Sequence, residues 1–209
     1  MIFLVGVCLV NLFISFLNAR SCGLIWCESK AIGGWVRFLV WCGAIQSAVG
    51  FTSVYMVVAV VIASKIGYLD IKSIRLFVDM VYLLIVIPLI GSGLAITVHS
   101  WIRLARERNL SSLSVAGWNT FAQARNMYSA YRAFGPAVES VAKAFGGFGN
   151  SKRKNANVVM LAIFVLVLGV LTTAVIIRRY AGELKVPEEI ERKFSPNLSA
   201  PLSKREAEA

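Results

Sequence analysis

The residues in this chain that could do chemistry are few, and most of them are cations. It has one histidine and four cysteines, with 22 Lys and Arg against 11 Asp and Glu, a net charge of +11 over 209 residues. His99 has no second histidine with which to share a metal or a haem. Cys22 and Cys27 lack the paired spacing and the histidine partners of a zinc site. A disulfide between them would need the oxidising side of a membrane, and the charge distribution favours the reducing side. No serine or cysteine has a credible general base. The Gly146–Gly149 stretch lacks the Lys-Ser/Thr of a phosphate loop. The chain therefore reads as a non-enzyme, with no catalytic residue, metal site, cofactor or small-molecule substrate.

What the cations can do is hold phosphate. Residues 103–156 carry nine Lys and Arg against Glu107 and Glu139. Arg125, Arg132, Lys152, Arg153 and Lys154 are the candidate contacts to anionic lipid or RNA. Leu110, Leu113, Gly117, Phe121, Ala124, Tyr128 and Tyr131 recur at the helical period. Trp118, Arg125, Arg132 and Glu139 recur every seventh residue on an adjacent face. Two arrangements fit this pattern. In one, an interfacial helix carries Trp118, Phe121 and Tyr128 into the headgroup layer. In the other, a small helical subdomain packs on itself or on the spans. Gly135-Pro136 is expected to end the helix, with Pro136 opening a second one.

The elements that must position these residues are four apolar runs: Met1 to Leu17, Trp35 to Ala63, Leu76 to Ile102 and Val158 to Ile177. A helix crosses a bilayer in roughly 20 apolar residues. The last three runs reach that length, and the first falls just short. It lacks a basic leading segment and reads as a retained span rather than a cleaved signal. The expected fold is all-α: a polytopic helical membrane protein with about four spans and a basic amphipathic helical segment before the last. Residues 1–102 would hold three spans, 103–156 the basic segment and 157–177 the last transmembrane helix. Residues 178–209 would form a charged, partly disordered tail.

Gly43, Ser47 and Gly50 form a small-residue face for close helix packing, within the chain or between copies. Pro88 predicts a kink. No acidic or amide side chain accompanies the break, so a plain kink is expected rather than an ion site. Arg75 and Asp79 are spaced for an intramembrane ion pair near a span end, and the alternative is a proton or ion relay. The positive-inside rule puts 103–156 and the Cys22/Cys27 loop on the cytosolic side. The Lys65/Lys72 loop and the tail would then face the other side, although Arg178 and Arg179 sit against that assignment. Of the sequons at Asn109 and Asn197, only Asn197 would meet the glycosylation machinery.

The stretch from Ser114 to Asn126, with Ala133 to Pro136 after it, sits between clustered apolar spans. With the chain's size, span number and basic character, it resembles the virion membrane proteins of plant and insect positive-strand RNA viruses of the negevirus and cilevirus group. The resemblance covers most of residues 1–180. It implies a self-associating structural protein of a viral envelope or host endomembrane. Its partners would be the bilayer, further copies, nucleoprotein and other envelope proteins. The reading from another class is a small channel or transporter, or an accessory subunit of a larger membrane complex. Gln46, Ser47, Thr52, Ser53, Ser92 and Thr97 would then be almost the whole polar lining.

Overall fold

A computed structural model describes residues 2–29, 33–146 and 152–182, without the side chains of 2–4, 146 and 152–155. Five helices account for nearly all of them: α1 (Ile2–Leu24), α2 (Gly34–Lys65), α3 (Ile71–Glu107), α4 (Leu110–Gly146) and α5 (Lys152–Tyr180). The described residues contain no strand, so the fold is all-α. Four stretches are long and apolar enough to cross a membrane: Val5–Leu24, Gly34–Lys65, Ile71–Glu107 and Ala156–Tyr180. They mark the chain as an integral membrane protein. The first is not short, because the helix continues through Asn18-Ala19-Arg20 and reaches 20 residues. Helices suit this solvent because each satisfies its own backbone where water is absent.

The central helix is α2, and its faces are divided among three neighbours. Gly43 and Gly50 face α1, where a β-carbon on Gly43 would come within 2.6 Å of Cys22 Sγ and one on Gly50 would strike the Ser15 hydroxyl. Asn18 Nδ2 donates to the Gly43 carbonyl at 2.9 Å, and Asn11 Nδ2 donates to the Gly50 carbonyl at 3.3 Å. Ser47 is fully buried between the two glycines. The small-residue face is thus filled by this chain's own α1. Ala48 and Thr52 face Gly169 of α5 just as closely. Val49 of α2, Phe77, Val81 and Ile85 of α3, and Val158, Ala162 and Val165 of α5 form the main apolar core. A smaller cluster of Cys22, Val40, Ala44 and Ile177 closes the other end. All four cysteines are free, with Cys22 and Cys42 buried.

The hairpin of α3 and α4 is the main departure from the sequence reading. The Asp70 carboxylate caps α3 by accepting from Ser73 N–H at 2.8 Å. Arg108, in the left-handed conformation at φ 47°, ends it. Asn109 then caps α4, its side-chain oxygen accepting from Ser112 N–H at 2.7 Å. Two residues therefore reverse the chain. Each helix of the hairpin is 37 residues long, about 55 Å, against a hydrocarbon core of about 30 Å. The expected break at Gly135-Pro136 is absent, and α4 runs through Pro136. Ala130 and Ala137 are buried on either side of it, and this packing on α3 outweighs the one hydrogen bond that proline removes.

Candidate functional site

Because α4 packs along α3 rather than ending beside the bundle, it brings polar residues level with a membrane span. The register is set by four bonds. Trp101 Nε1 donates to Thr120 Oγ1 at 2.8 Å, and Thr97 Oγ1 approaches the Asn119 carbonyl at 3.4 Å. Gln123 Nε2 donates to the Ile90 carbonyl at 3.1 Å, and the Tyr82 hydroxyl reaches the Ser129 carbonyl at 3.5 Å. The two helices are antiparallel. The part of α4 carrying Arg125 and Arg132 lies alongside the apolar part of α3.

The seam on α4 is built from small and polar residues. Ser112, Ala116, Gln123, Ala130 and Ala137 are all buried, at spacings of four and seven, the pattern that lets helices meet closely in lipid. The stripe expected to be the apolar face points the other way: Leu110, Leu113, Gly117, Phe121, Ala124, Tyr128 and Tyr131 are all exposed. Trp118 is also exposed, its ring tilted by 39° against that of Phe121 with ring centres 6.2 Å apart. Arg125 and Arg132 are exposed, and the Arg132 guanidinium lies over the Tyr128 ring, 5.8 Å from its centre. Near the far end of α4, Lys143 bonds the Glu139 carboxylate and holds that carboxyl below its usual range.

A second polar group sits around Pro88, inside the continuous helix α3. Gln46 Nε2, from α2, donates to the Leu89 carbonyl at 2.9 Å and to Ser92 Oγ at 2.7 Å. Ser92 Oγ in turn donates to the Pro88 carbonyl at 2.5 Å. Gln123 reaches the same turn from α4. The turn after Pro88 therefore has two amides beside it, where a plain kink without such a side chain was expected. They were hidden because they come from other helices. On the face of α2 that meets Gly169 of α5, the hydroxyl of Thr52 is fully buried, with no hydrogen-bond partner among the described residues.

Arg75 and Asp79 lie 3.9 Å apart, with Arg75 mostly exposed. The contact is long, and Asp79 Oδ2 is buried without a hydrogen bond among the described residues. Lys152, Arg153 and Lys154 form the first turn of α5, and their side chains lie outside the described residues. So do Lys30 and the tail from Glu183 onward, including Asn197.

The charge map differs from the expected one. Arg103, Arg106 and Arg108 lie at the same end of the bundle as Arg37, Arg178 and Arg179. Lys143 and the first turn of α5 lie at the opposite end, with Lys65 and Lys72. The 103–156 segment thus runs from one end to the other instead of forming a single-sided loop. All five tryptophans gather at the arginine-rich end. Trp26 meets Trp41 at 5.1 Å, Trp35 donates to His99 Nδ1 at 3.2 Å, and Trp101 is tied to Thr120 beside Trp118. This is the aromatic layer of a membrane interface. It contains His99, bonded to Trp35.

Among the described residues there is no group of three or more His, Cys, Asp or Glu able to hold a metal. No family model matches the chain, and neither a curated protein nor a solved structure matches it.

Proposed function

We propose that this chain is a non-enzymatic structural protein that self-associates in, and shapes, a viral envelope or host endomembrane, with its basic residues engaging anionic lipid or nucleoprotein. One observation carries the reading: a bundle of four membrane-length helices bears clusters of cations at both ends and no assembled catalytic group among the described residues. Lys and Arg beside a membrane attract anionic headgroups at about 1 kcal/mol each, and they attract nucleic acid by releasing its counterions. The exposed apolar sides of α1 and α5, which include Phe13 and Phe164, leave area for neighbouring copies or lipid.

The test is reconstitution. Proteoliposomes imaged by electron cryomicroscopy should show protein-dependent curvature, and crosslinking should yield oligomers. Protein in nanodiscs should bind RNA in a salt-sensitive way if nucleoprotein is the partner, and replacing Lys152, Arg153 and Lys154 with glutamine should mimic added salt. Spherical vesicles, monomers only and salt-insensitive binding would together reject the proposal. The amide cluster of Gln46, Ser92 and Gln123 favours a second reading, a small channel or an accessory subunit of one. Planar-bilayer current altered by Gln123→Leu would support it.

A further inference from the structure

The face of α4 that points away from α3 sets polar groups at every level of the bundle. Ser111, Trp118, Arg125, Arg132 and Glu139 lie along one line of it at seven-residue steps, and all are exposed. Arg125 follows two residues after Gln123, which is bonded to Ile90 near the middle of the Ile71–Glu107 helix. A guanidinium at that depth cannot be left in hydrocarbon without a large penalty. Something polar must therefore meet it.

Two occupants compete. A second copy related by an axis normal to the membrane would bring Arg125 opposite its counterpart at equal depth, and like charges in a dry interface repel. A phospholipid phosphate has the opposite sign and suits the planar, forked donors of arginine. It is also available at both ends of the path: Arg103, Arg106 and Arg108 stand at one end of the hairpin and Lys143 at the other. Arg125 and Arg132 are about 10 Å apart along the axis, a step that two long, flexible side chains can share. The aromatic rings between them, Tyr128 and Tyr131, present hydroxyls and apolar sides to a headgroup and its chains.

We propose that the outer face of α4 is a track on which phospholipid headgroups cross between leaflets, with Arg125 and Arg132 as successive phosphate-binding stations. The movement needs no energy source, since lipid runs down its own gradient. This proposal rests on the membrane embedding and on the lipid engagement of basic residues proposed above, and not on self-association or on the shaping of a membrane.

The test uses the full chain reconstituted in phosphatidylcholine–phosphatidylglycerol vesicles with a trace of headgroup-labelled fluorescent lipid, bleached from outside by dithionite. Bleaching should proceed beyond the outer-leaflet share in protein-containing vesicles and stop at that share in empty ones. The paired substitutions Arg125→Leu and Arg132→Leu should slow the inner-leaflet phase at least roughly tenfold, with circular dichroism and gel-filtration profiles unchanged. Arg125→Lys, which keeps the charge, should retain part of the rate and provides a second reading should the double variant misfold. Bleaching that stops at the outer-leaflet share with folded wild-type protein would overturn the proposal. So would a rate indifferent to both arginines. Loss of an encapsulated water-soluble dye at the same rate would make this face an aqueous pore instead. Efficient disulfide dimerisation of Arg125→Cys would put a second copy there.

Discussion

Gln123 of α4 occupies the space directly over Gly93 of α3, where its side-chain oxygen stands in the way of any β-carbon, while its nitrogen bonds the Ile90 carbonyl. The absent side chain at 93 and the amide at 123 are therefore one device. They let the hairpin close little more than one turn beyond Pro88.

Gly93→Ala should lower stability by about 1–3 kcal/mol through overpacking. In a Gln123→Ala background the same change should cost clearly less, since the obstacle is gone. Thermal unfolding of the four proteins in mild detergent measures the coupling. Equal costs in both backgrounds would disprove the contact.

The two ends of α4 should lie on opposite sides of the membrane. With Cys8 and Cys27 changed to serine and the buried Cys22 and Cys42 retained, single cysteines at Arg106 and Lys143 should react differently with an impermeant maleimide. One should label in sealed vesicles and the other only after permeabilisation. Labelling of both from one side would mean that α4 lies flat on the surface.

Thr52→Val should stabilise the bundle by about 1 kcal/mol. The hydroxyl is fully buried without a hydrogen-bond partner among the described residues, and leaving such a group unsatisfied costs about 1–3 kcal/mol. The valine has nearly the same volume beside Gly169. A lower unfolding temperature for Thr52→Val would show that the hydroxyl has a partner after all.

Asn109 should cap a helix rather than carry a glycan. Its oxygen accepts from Ser112 N–H, and its nitrogen lies 3.4 Å from Glu107 Oε2. Asn109→Ala should cost about 1 kcal/mol, and Asn109→Asp much less. Mass spectrometry after expression in a glycosylating host should find Asn109 unmodified. A glycan there would contradict this geometry.

The apolar runs could be read from sequence because hydrocarbon imposes length and composition on every residue of a span. The small-residue face of α2 was legible for the same reason, since Gly43 and Gly50 must be small for something to approach. Its occupant was not, because Asn11, Ser15 and Asn18 sit in a run that looks merely apolar. For α4 the eye goes to the aromatics, yet those face outward and the alanines make the seam. The spacing of Ser112, Ala116, Ala130 and Ala137 was the available signal. Pro136 misled because proline predicts a local break, whereas the helix is held by contacts with a partner distant in sequence. Gln46 and Gln123 could not be connected to Pro88 without knowing which helices neighbour which.

The gathering of every indole at one end has an optical consequence. Tryptophan emission from this molecule originates from a single stratum near one leaflet, so its colour and its quenching by brominated acyl chains report on that stratum alone. The protein carries a built-in depth gauge, and the far half of the bundle is dark.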